Sequence, residues 1–270
     1  MSSDSVVRFI EDRMASSGLT DPVGVTSVVL PGGARLSGFT VRPHQAEAVW
    51  RYWRALRPVT GWTPVVTTWT GHEKLGDLLR VEGAGSEAAP EPAGTGARVA
   101  ATVRRIIEAV VAGTPEHDRE EEREVTDPQR LVHHLRGPWG EVLPGDPLAF
   151  TRRWSGRLTL LLAETEGGYQ LPLFVPGLLH NTNSAASPTA VDLSPRDHHA
   201  FLRHWYDRYG AEVFFINGTE VQLLVDRPPV DPLPAARLAV EHYAYADELM
   251  DVVELGDRQV RSDVWSFWWD

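Results

Sequence analysis

The chain has 270 residues, 42 % of them hydrophobic, and sets 37 acidic side chains against 26 Lys and Arg for a formal charge of −11. That balance argues against nucleic acid, whose binding needs a basic footprint, and against an anionic membrane surface. It suits a basic protein partner or plain solubility. With no cysteine there is no disulfide, thiolate nucleophile or Cys-ligated metal, and the first residues lack the basic-then-apolar run of a secretory leader, so the cytoplasm is the expected compartment.

Ser3 or Asp4 caps a first helix in which Val6, Phe9, Ile10 and Met14 fall at helical spacing. Residues 25–30 and 34–41 read as a hairpin around Pro31-Gly32-Gly33. Pro43 opens a second helix, since its missing N–H costs nothing there; its stripe is Ala46, Val49, Trp50, Trp53 and Leu56, ending near Pro58. The β-branched and aromatic run 62–69 is a strand, so residues 1–82 form a small αββαβ unit. Residues 83–130 connect it to the rest. Within them 83–97 hold no large apolar side chain and read as a linker, and Val99, Val103, Ile106, Ile107 and Val110 mark an amphipathic helix over 98–112. The stretch 114–130, with Glu120-Glu121-Glu122, reads as a solvated connection or fraying helix end, with docking to a basic partner as the alternative.

The C-terminal domain, 131–270, is the most readable part. Residues 158–163 and 169–175 are predicted strands on either side of Gly167-Gly168, and the first is the longest strongly apolar run, far short of a membrane span. Ser194-Pro195 opens a helix with the stripe Phe201, Leu202, Trp205 and Tyr209, stopped at Gly210. Residues 212–216 and 219–226 flank Asn217-Gly218, a strong hairpin signal; Phe214 then faces Val221, Ile216 faces Thr219, and one face is the core face. Asp231-Pro232 opens another helix, crowded at its end by His242, Tyr243 and Tyr245. In the last strand, 264–269, Trp265, Phe267 and Trp269 alternate with Ser266 and Trp268, so one face is wholly aromatic. Each such ring is worth about 1.5–3 kcal/mol when buried, which predicts the strand as core filling. Taken in order, β, α, β-hairpin, α, β predicts an α+β fold: a split βαβ, ferredoxin-like antiparallel sheet with helices on one face, preceded by the smaller αββαβ unit.

His204-Trp205-Tyr206-Asp207-Arg208-Tyr209-Gly210-Ala211-Glu212 resembles the W-x-x-x-Y-G-A-E signature of a bacterial family known as domain of unknown function 4253. Arg227-Pro228-Pro229, Glu241-His242-Tyr243-Ala244-Tyr245 and Trp265-Ser266-Phe267-Trp268-Trp269-Asp270 are similar to further motifs of that family, in the same order, over about residues 160–270. Residues 56–66 are similar to an upstream T-G-x-x-P stretch of longer members. Gly177-Leu-Leu-His-Asn-Thr-Asn-Ser184 departs from the Gly-Gly-Trp-Asn-like turn common in the family. The resemblance implies a fold and no established activity.

Side-chain patterns do not mark a reaction. His198, His199 and His204 lack the i, i+3 or i+4 spacing of helical metal ligands, since His199 and His204 sit about 140° apart around a helix. His133 and His134 are adjacent and face apart. No G-x-S-x-G elbow and no G-x-x-x-x-G-K-[ST] phosphate loop occurs, and the carboxylates Asp247, Glu248 and Asp251 read as a polar helix end. No metal or cofactor is expected. Ser184 and Ser187 share a polar loop with His180, Asn181 and Asn183, and the many large rings of the C-terminal half offer an aromatic surface; the candidate binding residues are therefore His180, Asn181, Asn183, Trp205, Tyr245 and Trp268. The expected function is a non-enzymatic interaction module, immunity- or antitoxin-like, that takes a basic protein. The alternatives are an enzyme of unrecognised type and a small-molecule sensor using a cleft between the two halves.

Overall fold

The computed structural model describes residues 3–20, 22–30, 33–68, 94–153, 156–179, 193–246 and 251–269. Among these, seven strands form one mixed sheet, and the chain divides into two compact units. One unit draws on Met1–Ala89, Asp146–His180 and Glu212–Gln222, the other on Pro90–Gly145, Asn181–Ala211 and Leu223–Asp270.

In the first unit, helix α1 (Ser3–Ser17) buries Val6, Ile10 and Met14, one residue per turn along a single stripe. Strands β1 (Val23–Val29) and β2 (Arg35–Val41) pair antiparallel, as the hairpin pattern predicts. Pro43 starts a 3-10 turn, and helix α2 (Ala46–Thr60) follows it, burying Ala46, Val49, Trp50 and Trp53. The helix runs two residues past Pro58, because a proline this close to the end removes only one internal hydrogen bond; Gly61, at φ 70, then closes it in the left-handed region. Buried indole N–H groups find partners: Trp50 Nε1 donates to the Pro64 carbonyl at 2.8 Å and Trp53 Nε1 to the Met14 sulfur at 3.1 Å. Strand β3 (Thr63–Thr67) and strand β4 (Leu158–Ala163) pair antiparallel, and every residue of both is buried. The 169–175 segment is not a strand. It forms a 3-10 turn, Gly168–Gln170, and one helical turn, Leu171–Phe174, because Pro172 cannot donate to a ladder and is well suited to a helix start.

Strands β5 (Ala211–Asn217) and β6 (Glu220–Val225) are neighbours in the sheet. The turn falls on Gly218 and Thr219, one residue later than Asn217-Gly218, and Asn217 has no positive φ. Its side chain makes the turn instead, accepting from Thr219 N at 3.0 Å and donating to Glu220 Oε2 at 2.7 Å. All of β6 is buried, so both faces are covered and the single core face predicted for this hairpin is corrected.

The second unit is mostly helical. It contains α3 (Thr95–Gly113), α4 (Arg119–Thr126), a single turn at Pro128–Leu131, α5 (Pro195–Tyr209), α6 (Pro232–Tyr245) and α7 (Val252–Asp257), with β7 (Val264–Trp268) after them. Helix α5 starts on a capping box, with Asp197 N donating to Ser194 Oγ at 3.2 Å and Ser194 N to Asp197 Oδ2 at 3.0 Å; Gly210, at φ 65, ends it. The 114–130 stretch holds helix α4 and the turn after it, exposed or half-buried except at Thr126.

The sheet order is β1-β2-β4-β3-β5-β6-β7, with β3 and β5 parallel. The split βαβ needs its first strand at 169–175, with β7 beside it, and that segment is not a strand. Here β3 lies between β4 and β5, and β7 takes the end of the sheet beside β6, so the ferredoxin-like order is not the one adopted. The strand from the N-terminal stretch takes the slot next to β4, which sequence order alone does not forbid.

Candidate functional site

The last strand is interior filling. Trp265, Phe267 and Trp269 are 0, 0 and 3 % exposed, while Ser266 and Trp268 are half-buried on the other face. Helix α5 brings Trp205 onto this surface, stacked on Phe267 at 5.2 Å with 8° between the rings. Helix α6 brings His242 and Tyr245, each about 5 Å from Trp205. Tyr245 Oη lies 2.9 Å from His198 Nδ1, Trp269 Nε1 donates to the Tyr245 carbonyl at 3.2 Å, and Trp205 Nε1 donates to Glu241 Oε2 at 2.9 Å.

This interior holds three histidines and Tyr245 neutral. Burial pushes the His198 imidazole down to about 4 against the opposing charge of Asp197. Burial, helped by Arg203 and Arg98, pushes His199 down to about 4 as well. Burial alone holds His242 well below its ordinary value and raises the Tyr245 hydroxyl. Burial also works to raise Asp197, but the Ser194 hydroxyl and N–H, with the Arg98 guanidinium at 2.9 Å, outweigh it and keep the carboxyl low. Near neutral pH the three histidines are therefore uncharged packing elements. Among the described residues no group of three or more His, Cys, Asp or Glu is placed to hold a metal ion.

Of the sequence-derived candidates, His180, Asn181 and Asn183 lie outside the described residues, as do Ser184 and Ser187. Trp205 and Tyr245 come together, with ring centroids 5.0 Å apart, but inside the core at 0 and 1 % exposure rather than on a surface. Trp268 is half-buried on the far face of β7. Of the three described candidates, Trp268 therefore does not join Trp205 and Tyr245.

A different surface of the second unit is concave. Helices α4 and α7 enclose an open groove of about 640 Å³, lined by Asp118, Glu121, Glu122, Asp251, Glu254 and Asp257 against a single guanidinium, Arg258, with Val125, Val252 and Val253 as its apolar part. Several of the carboxylates are anchored. Asp251 caps α7 by accepting from Glu254 N at 2.8 Å, Glu122 accepts from Tyr243 Oη at 3.3 Å, and Asp257 accepts from Arg136 N and Gly137 N at 2.7 and 3.1 Å. Glu254 pairs with Arg258 at 2.8 Å. Behind the groove, buried Arg261 ties the end of α7 to the preceding loop: it donates to the Asp257, Pro138 and Glu141 carbonyls and lies 4.8 Å over the Trp139 ring. The acidic run at 120–122 is visible in the sequence, but its meeting with Asp251, Glu254 and Asp257 depends on tertiary packing and has no local signal.

No helix among the described residues is long and apolar enough to cross a membrane. No curated protein and no solved structure matches the chain. Residues 178–270 match a family model, a narrower span than the 160–270 that the motifs suggest. That segment, which carries α5, α6 and the aromatic last strand, matches the model of the family described as Domain of unknown function (DUF4253).

Proposed function

We propose that this protein is a non-enzymatic interaction module that works in the cytoplasm and takes a basic segment of a partner protein in the groove between α4 and α7. The observation that carries this reading is the lining: six carboxylates and three valines against one arginine. Such a wall complements alternating Lys or Arg and aliphatic side chains, and its field speeds encounter with a cation. The chain's charge of −11 works in the same direction. Carboxylates fixed by a cap, a tyrosine hydroxyl and backbone N–H groups lose little freedom on binding, which favours affinity. An immunity- or antitoxin-like protein that neutralises a basic effector is the specific form we favour.

The test is comparative capture from the source cells followed by mass spectrometry, using the native chain and D118K/E121K. Among the described residues Asp118 pairs only with the exposed His117 and Glu121 has no partner, so the double substitution reverses charge without removing an anchor. A basic protein retained by the native chain and lost from the variant supports the reading. Identical partner sets for both chains would contradict it.

A further inference from the structure

The second unit has another cleft, of opposite character, between α3, α5 and α6. It encloses about 420 Å³, within the size range of small-molecule sites. Val99, Val103, Ile107 and Val240 supply apolar walls, and Arg104, Arg208 and Arg237 stand around it. The cleft's carboxylate, Glu241, is already engaged: Oε2 accepts from Trp205 Nε1 at 2.9 Å and Oε1 lies 3.5 Å from His204 Nε2. Arg208 reaches His204 at 3.5 Å. Arg104 and Arg237 are exposed and have no carboxylate within pairing distance among the described residues. In a chain where acids outnumber bases by 37 to 26, three guanidiniums gathered at one apolar cleft run against the overall charge.

We propose that this cleft is a binding site for a small organic carboxylate with an apolar body, the chain of the ligand lying along the valines and its carboxylate held by Arg104 and Arg237. Planar guanidinium forks suit a carboxylate better than a point charge does, and the aliphatic walls select against a bare inorganic anion. Helices α3, α5 and α6 supply the walls, so the cleft is pre-formed on rigid elements. It lies within one unit and does not use the aromatic interior.

The experiment titrates the full chain with 3-phenylpropionate, 3-phenylpropanamide and inorganic phosphate, following methyl NMR shifts of Val99, Val103 and Val240. Saturable shifts at all three valines with the carboxylate, at least tenfold weaker binding of the amide and of phosphate, and at least tenfold weakening in R104Q/R237Q are expected. Unchanged melting of that variant shows that a loss comes from the site and not from unfolding. Equal binding of carboxylate and amide, equal binding of phosphate, absence of shifts at the valines, or a variant that binds like the native chain would each overturn the proposal. Should the variant melt early, E241Q serves in its place. It keeps the arginines and removes the engaged negative charge, and tighter carboxylate binding is then expected, with weaker or unchanged binding contradicting the proposal.

Discussion

His242 is 0 % exposed, and its Nε2 has no hydrogen-bond partner, while Nδ1 lies 3.4 Å from Gln259 Nε2. With the Gln259 amide donating to Nδ1, the ring proton sits on Nε2 among the rings of Trp205, Trp265 and Phe267, all within 5 Å of the imidazole. A protonated ring there would be an unpaired buried charge, which sets the pH response. An unfolded histidine takes its proton near pH 6.5, whereas His198 and His199 hold out to about 4 and His242 lower still. Between those values the unfolded chain binds more protons, so stability is unaffected above about pH 6.5 and falls as pH drops below it, by about 1.4 kcal/mol per unit for each such histidine. Urea midpoints at pH 7 and pH 5 should show the loss, and H242F should reduce it; equal midpoints for the native chain would refute it. Trp205 touches Phe201, Tyr245, His242, Trp265 and Phe267, so Trp205→Ala should cost about 3–5 kcal/mol by chemical denaturation. These roles were partly legible. The alternation of Trp265, Phe267 and Trp269 identified the aromatic face and the helical stripe through Phe201, Leu202 and Trp205 marked a buried side of α5, but nothing local said that Trp205 and Tyr245 would meet beneath that face.

Helix ends were the most legible feature because their chemistry is local. Ser194-Pro195 and Gly210 bracket α5 as the sequence implies, and Ser194→Ala should cost about 1 kcal/mol through loss of the capping box, measurable as a lower urea midpoint. Pro172, by contrast, carried the sign that the 169–175 run is not a strand, and its apolar neighbours masked it. The hairpin was nearly legible. Moving the turn from Asn217-Gly218 to Gly218-Thr219 shifts each residue's partner by two, which sets Phe214 opposite Leu223 instead of Val221 and leaves the same side chains on the same face. Burial of both faces of β6 removes the alternation that marks a one-sided strand. Helix α4 left little local signal for a related reason. Its surface is charged on nearly every side, and its ties to the rest of its unit run through the buried Thr126, the Glu122 bond to Tyr243 and the pairs Glu120–Arg130 and Glu124–His134.

Across the whole chain, sequence order could not specify sheet order. The predicted αββαβ start is present as α1, β1, β2, α2 and β3, yet β3 pairs with β4, almost a hundred residues on, and runs parallel to β5. Long-range pairing of this kind leaves no periodic trace, and the acidic groove of the second unit depends on an equally distant meeting of α4 with α7. That groove supports the functional reading most directly. Its decisive measurement is fluorescence anisotropy of a peptide of alternating arginine and leucine with the native chain and with D118K/E121K at 50 and 300 mM salt. The account predicts saturable binding by the native chain that weakens steeply with salt, and about tenfold weaker, flatter binding by the variant. Equal affinity of the two chains at both salt concentrations would contradict it.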